Sequence, residues 1–246
     1  MITYSPPADW HLGPLTVNIH SLMFFIGAMT AYLWTCKRLP EKYRDHADNL
    51  AAWMTVCGII GARALYAVLN YSKLETPTHA LYIWEGGLVS YGGFAGAIAA
   101  WIIYIRKYSL PMPVFCAAAA PAFLLGWGIG RLGCFLAWNN EYGTPAQLPW
   151  AFIVNGDVPR HPVMLYLALG HIVMAFVSLR LAEVWKRNPT GIALAAFGAV
   201  RLIFDVWRDY QPFWLHYGSA AISLAFVVLG CLLVKRLPPS EAPADT

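Results

Sequence analysis

Charge is scarce in this chain. Lys, Arg, Asp and Glu make up 12% of its 246 residues, about half the fraction of a soluble globular domain. With 59% hydrophobic residues and a mean hydropathy of +0.51, that scarcity excludes an ordinary water-soluble domain and indicates a membrane protein. Cysteine is sparse and dispersed. Cys36, Cys57, Cys116, Cys134 and Cys231 form no CxxC pair, so neither a disulfide framework nor a zinc site is indicated. Repeats, long linkers and low-complexity runs are missing, apart from a polar tail from Pro238 to Thr246. No Lys or Arg occurs in the first seventeen residues, and the first apolar stretch is long enough to stay as a helix. The expectation is therefore a retained span rather than a cleaved signal peptide. The net charge of +4 is modest, no nucleic-acid partner is expected, and the placement of the charges matters more than their sum.

What is present is a series of apolar runs. Hydropathy predicts an all-α integral membrane protein, one membrane domain over residues 1–246, with seven spans. They cover about 15–36, 50–70, 87–104, 113–135, 163–185, 190–207 and 215–234, each near the ~20 residues a helix needs to cross the hydrocarbon core. Gly92/Gly96 and Gly126/Gly130 form GxxxG pairs that allow close helix approach. Trp34, Trp84, Trp138, Trp150, Trp185 and Trp207 fall near span ends, as interface anchors do. Alternate loops differ in cations. Lys37, Arg38, Lys42, Arg44, Arg106, Lys107, Lys186, Arg187, Lys235 and Arg236 fall on one side, and only Lys73, Arg160 and Arg208 on the other. The positive-inside rule then puts the N-terminus outside and the C-terminus in the cytoplasm.

Within these runs lie three arginines. Arg131 sits in Leu124-Leu125-Gly126-Trp127-Gly128-Ile129-Gly130-Arg131-Leu132-Gly133-Cys134-Phe135, and Arg63 and Arg201 have similar surroundings. A cation in hydrocarbon is costly and needs a partner or an anionic ligand. Arg63 lies thirteen residues from the cytoplasmic start of its span, Arg131 eighteen and Arg201 eleven; for Arg63 that is roughly 20 Å up a core of about 30 Å. His20 and Tyr91 start spans running the other way, and Arg160 and His161 immediately precede the fifth. Spacing thus converges on one polar cavity open toward the outer leaflet. Arginine offers bidentate hydrogen bonds to phosphate, so an anionic headgroup is the expected occupant.

Plainer readings exist for each residue. Arg201 and Asp205, four apart, can neutralise one another. Arg63 can snorkel outward, and His20, Tyr91 and His171 can serve helix packing. Cys134 is a candidate nucleophile, although a small buried thiol is more often inert. The segment Trp138-Asn139-Asn140-Glu141-Tyr142-Gly143-Thr144-Pro145 reads equally as a turn or as a headgroup loop behind Arg131. Gly128 to Gly133 matches GxGxxG, but no strand precedes it and it lies inside a span, so it is no dinucleotide fingerprint.

These residues resemble the bacterial prolipoprotein diacylglyceryl transferase family. Gly130-Arg131-Leu132-Gly133-Cys134-Phe135, then Asn139, Asn140, Glu141 and Gly143, is similar to the family's Gly-Arg-x-Gly-Asn-Phe block followed by Asn, Glu and Gly. Trp84-Glu85-Gly86-Gly87-Leu88-Val89-Ser90-Tyr91-Gly92-Gly93 looks like its Trp-Asp-Gly-Gly block ending in His-Gly-Gly. Arg160-His161-Pro162 with Leu165-Tyr166 resembles Arg-His-Pro-x-x-Leu-Tyr. Phe197-Gly198-Ala199-Val200-Arg201 with Asp205 and Arg208 resembles the last motif, and Leu22-Met23 and Gly61-Ala62-Arg63 with Tyr66 also align. The blocks run in order from about Ile19 to Tyr210.

The resemblance implies transfer of a diacylglyceryl group from phosphatidylglycerol to the lipobox cysteine thiol of a preprolipoprotein, in the bacterial inner membrane. It implies no metal and no organic cofactor. The partners are the donor lipid and the signal-peptide region of the acceptor, both arriving sideways from the bilayer. Arg131 and Arg201 would hold the lipid phosphate and stabilise the departing glycerol phosphate. His20 with Tyr91 would assist thiol deprotonation. Asn139, Glu141 and Gly143 would orient headgroup and arginine, and Arg63, His161, Asp205 and Arg208 would bind or support. Two positions depart from the family pattern, Tyr91 for histidine and Cys134 for asparagine. An unperturbed tyrosine, pKa about 10, is a poor base near neutrality. His20 stands where the family has tyrosine, which suggests an exchanged pair. The departures also motivate two alternatives: a different acceptor, or anionic-lipid binding without transfer.

Overall fold

The structure is a computed structural model describing residues 1–12, 15–71, 76, 78–79, 82, 87, 89–138, 143–209 and 214–238. Seven long helices account for most of it: α1 (Ile19–Arg38), α2 (Arg44–Leu69), α3 (Ser90–Lys107), α4 (Met112–Ala137), α5 (Val163–Trp185), α6 (Pro189–Phe204) and α7 (Trp214–Arg236). Among the described residues, six of the seven are long and apolar enough to cross a membrane; α3 is the exception. Its 18 residues carry Tyr91, Gly92 and Gly93 at one end and Arg106 and Lys107 at the other, so little apolar length is left between them. The apolar runs therefore locate all seven helices, and six qualify as spans on length and composition.

Four short strands depart from the all-α expectation. β1 (Ile2–Tyr4) pairs parallel with β4 (Phe152–Val154), and β2 (Trp10–Leu12) pairs antiparallel with β3 (Leu15–Val17). The first span was expected from residue 15, but Leu15–Val17 is strand. Helix begins only after Asn18, whose side chain accepts from the Ser21 N–H at 2.8 Å and satisfies one of the free donors of the first turn. The sixth span runs from Pro189 to Trp207, with α6 to Phe204 continued by a 3-10 turn over Asp205–Trp207.

The chain divides into two compact units. One comprises residues 1–38 and 113–246, the other residues 39–112. In the first, small residues let antiparallel helices meet backbone to backbone. Gly27 of α1 lies against Gly126 of α4, and Gly133 against His20 and Met23. Gly128 packs on Ala168 and Ile172 of α5, Gly170 on Val200 and Phe204 of α6, and Gly198 on Ser223 and Val227 of α7. Where helices share apolar surroundings, such close packing and not water exclusion drives association. The link from α5 to α6 is short: Lys186 caps α5 in the left-handed conformation, and the Asn188 side chain accepts from the Thr190 N–H at 3.0 Å before Pro189 opens α6. The core at one end gathers Phe135, Val163, Met164, Leu167 and Val200. Tyr4 seals it by donating to the Leu136 carbonyl at 2.6 Å and stacking on Phe135.

In the second unit α2 and α3 are antiparallel. Gly61 meets Gly92, and Gly96 meets Cys57. The Gly92/Gly96 motif thus serves helix packing.

Candidate functional site

The antiparallel order of the first unit puts the starts of α1, α5 and α7 beside the ends of α4 and α6. Most polar residues singled out in the sequence gather at that end. His20 is in the first turn of α1, Arg131 is two turns from the end of α4, His161 precedes α5, and Arg201 is in the last turn of α6.

Arg131 rises from the glycine-flanked stretch of α4. Its guanidinium lies over the Trp127 ring, 5.0 Å from the centroid, in cation–π contact. Its Nη1 points at the sulfur of Met164 at 3.5 Å and that of Cys134 at 3.9 Å. Cys134 is thus a neighbour of Arg131. Arg201 donates to Asp205 Oδ2 at 2.9 Å and to Ser219 Oγ of α7 at 2.8 Å, and Ser219 donates to the same Asp205 oxygen at 2.8 Å. Arg208 approaches the other oxygen, Oδ1, at 3.8 Å. Asp205 is only 5% exposed, so this is a largely desolvated ion pair, and the intra-helix neutralisation considered for Arg201 and Asp205 is present.

His171 lies within α5. It is fully buried, its Nδ1 bonds the Leu167 carbonyl, and its ring lies 5.0 Å from Phe197. A carbonyl can only accept, so Nδ1 carries a proton. Arg131 lies against Met164, whose core cluster includes Val200, the residue before Arg201.

Above them the loops are tied together. Thr144 N–H donates to the Trp207 carbonyl at 2.7 Å, His161 N–H to Thr144 at 3.1 Å, and Ala146 N–H to Pro159 at 2.8 Å. Gly143 presses on the His161 backbone so closely that a Cβ has no room. His161 stacks on Trp207 at 5.7 Å, and its Nδ1 lies 3.5 Å from Tyr166 Oη, which also accepts from Trp150 Nε1 at 2.8 Å. Burial pushes the His161 imidazole below its ordinary pKa. Leu148, Trp150, His161, Tyr166, Phe204 and Trp207 line a cavity of about 410 Å³. Asn139 and Glu141 lie outside the described residues.

In the second unit Arg63 is 5% exposed and does not snorkel. It donates to the Gly87 carbonyl at 3.2 Å and the His79 carbonyl at 2.5 Å, over the Tyr66 ring. Its positive charge thus holds the chain that leads into α3. Gly87 has a φ of +75° and lies against the Tyr66 ring, where no side chain fits. Tyr91 is 82% exposed, in the first turn of α3. His20 belongs to the first unit and Tyr91 to the second.

Sequence reasoning missed Ser219, the third member of the Arg201 cluster, and the aromatic lining. Serine in an apolar helix carries no signal of its own, and Trp150 and Trp207 read as interface anchors. Among the described residues no group of His, Cys, Asp and Glu could hold a metal ion.

Fold and site together define a polytopic helical membrane protein that carries the part-buried Arg131 and Arg201 within the helices of its first unit. Comparison with known proteins narrows this. Residues 7–236 match the family model of prolipoprotein diacylglyceryl transferase, and the chain belongs to that family. Among its relatives, a phosphatidylglycerol–prolipoprotein diacylglyceryl transferase of Rhodospirillum centenum is 31% identical, with 97% of this chain and 94% of the relative covered. One from Anaplasma marginale is 32% identical, with 99% and 93% covered. Another from Nocardia farcinica is 32% identical over 83% of this chain, which spans about half (48%) of that longer protein.

Proposed function

We propose that this protein transfers a diacylglyceryl group from phosphatidylglycerol to the lipobox cysteine thiol of prolipoproteins. Family membership supports the reaction class. The observation that supports the site is that Arg131 lies against Met164, which packs in the same core cluster as Val200, the residue before Arg201. Two guanidinium groups in a low-dielectric setting suit a phosphodiester, and they suit still better the phosphate monoester that leaves.

The reaction needs few parts. The acceptor thiol gives up its proton, and the sulfur attacks the glycerol carbon that bears the phosphate. The carbon–oxygen bond breaks, a thioether forms, and glycerol phosphate departs with the negative charge. Arg131 and Arg201 stabilise that charge. Asp205, with Arg208, holds Arg201 in place. His20 takes the thiol proton, and Gly143 and His161 shape the mouth. Asn139 and Glu141 as headgroup contacts, Tyr91 as an aid to thiol deprotonation beside His20, and Arg63 as a support, rest on sequence position alone. In this reading the protein is a single membrane domain of the bacterial inner membrane, with its N-terminus outside. Lipid and signal-peptide region arrive laterally. The reaction requires no metal or organic cofactor and has no nucleic-acid partner.

The test is rescue of a strain depleted of its own transferase, joined to a labelled-lipid assay in vesicles. The wild-type chain is expected to restore growth and label a lipobox peptide, and Arg131→Ala to do neither at equal membrane abundance. Label moving to another molecule would replace the acceptor. Phosphatidylglycerol binding without transfer would leave only a lipid-binding protein.

A further inference from the structure

Arg160 has no part in the reaction just described, yet its side chain bonds two distant stretches of chain as well as its neighbour Asp157. Its Nη1 donates to the Gly143 carbonyl at 3.1 Å and to Asp209 Oδ2 at 3.2 Å, and its Nε donates to Asp157 Oδ2 at 3.0 Å. Its backbone exchanges both hydrogen bonds with Phe152 of β4. Gly143 belongs to the segment leaving α4, the helix of Arg131. Asp209 belongs to the segment leaving α6, the helix of Arg201. Arg160 itself leads into α5, which lies between them and carries His171. One planar guanidinium therefore joins the segments that follow the helices of Arg131 and Arg201 to the segment that leads into α5.

The three bonds are not equivalent. Asp157 is a local partner, three residues away with a side chain 53% exposed, and such exposed pairs contribute little. The Gly143 and Asp209 bonds are long-range, and the Arg160 side chain is only 17% exposed. They also reinforce the Gly143–Arg208 backbone bridge and the Thr144–Trp207 bond, so the segments behind Arg131 and Arg201 are fastened to each other as well as to Arg160. A lysine, with a single compact ammonium, cannot reproduce this fork.

We propose that Arg160 is a positioning residue: its clamp on Gly143 and Asp209 sets the separation at which Arg131 and Arg201 meet the phosphate of the lipid headgroup. This rests on the function proposed above. Long-range attraction for an anionic lipid tolerates an ångström of misplacement, whereas stabilisation of the departing phosphate does not. Loss of the clamp should therefore appear in kcat more than in KM.

The experiment uses the full chain in phosphatidylglycerol vesicles with a lipobox peptide, together with hydrogen exchange at the Thr144, Ala146 and His161 amides. For Arg160→Ala, kcat is expected to fall roughly 10- to 100-fold with KM for the lipid within about threefold, and those amides to exchange at least about tenfold faster. Arg160→Lys should recover only part of the loss. Asp209→Ala should lower kcat, and Asp157→Ala should leave it at the wild-type value. This contrast carries the test should Arg160→Ala fail to fold. Wild-type kcat in Arg160→Ala, full recovery by lysine, or equal effects of the two aspartate variants would overturn the clamp. If Arg160→Ala is normal while Arg131→Ala is inactive, only the clamp fails. If Arg131→Ala transfers normally, the proposed site itself is wrong, and the exchange rates alone then decide whether Arg160 fastens the loops.

Discussion

At the residue scale the most consequential contacts are those of Arg201, Asp205 and Ser219. A buried ion pair is weak evidence of stability, but removing one partner strands the other charge. Asp205→Ala is expected to destabilise the protein by about 3–5 kcal/mol, and Ser219→Ala by about 1 kcal/mol, measured by unfolding in mixed micelles. The double variant Arg201→Leu with Asp205→Leu should be less destabilised than Asp205→Ala alone. His161 gives a pH signature. Its folded-state pKa is lowered by burial, so the unfolded chain, near 6.5, takes up the proton first. Stability should be level above about pH 6.5 and fall as pH drops toward the folded pKa. His161→Phe should make that slope shallower. Arg131, Arg201 and Asp205 stood out in the sequence because charge in an apolar run is conspicuous. Ser219 and Trp127 were not, since nothing in their own neighbourhoods distinguishes them.

At the element scale, helix positions followed from the apolar runs, because crossing hydrocarbon demands length and apolarity that loops lack. The errors lie at the ends. Leu15–Val17 merges with the first apolar run, and only pairing with Trp10–Leu12 makes it a strand. Glycine has two opposite meanings that only packing separates. Gly126 lies against Gly27, whereas a Cβ at Gly218 would meet nothing within 4 Å. Gly126→Ala is expected to force α1 from α4 and destabilise by about 1–3 kcal/mol. Gly218→Ala should be neutral or stabilising by up to about 1 kcal/mol. Thermal unfolding of the two variants side by side checks both signs.

At the scale of the whole molecule the cation-rich loops predict a single orientation. Reporters fused after Arg236 should be active only in the cytoplasm, and a cysteine placed near Ile2 should react with an impermeant reagent outside. The opposite pattern would invert the site with respect to the bilayer. The family, the helices and the presence of buried cations could be read from the linear chain, because each follows from composition, local order or motif. Who partners whom could not. Asp205 with Ser219, Arg63 with the His79 and Gly87 carbonyls, and Arg160 with Gly143 and Asp209 join residues up to 49 positions apart. Hydropathy reports how far a residue is from water, and it is blind to direction around a helix. Direction is set by which glycine faces which helix, and that depends on all the helices being packed at once.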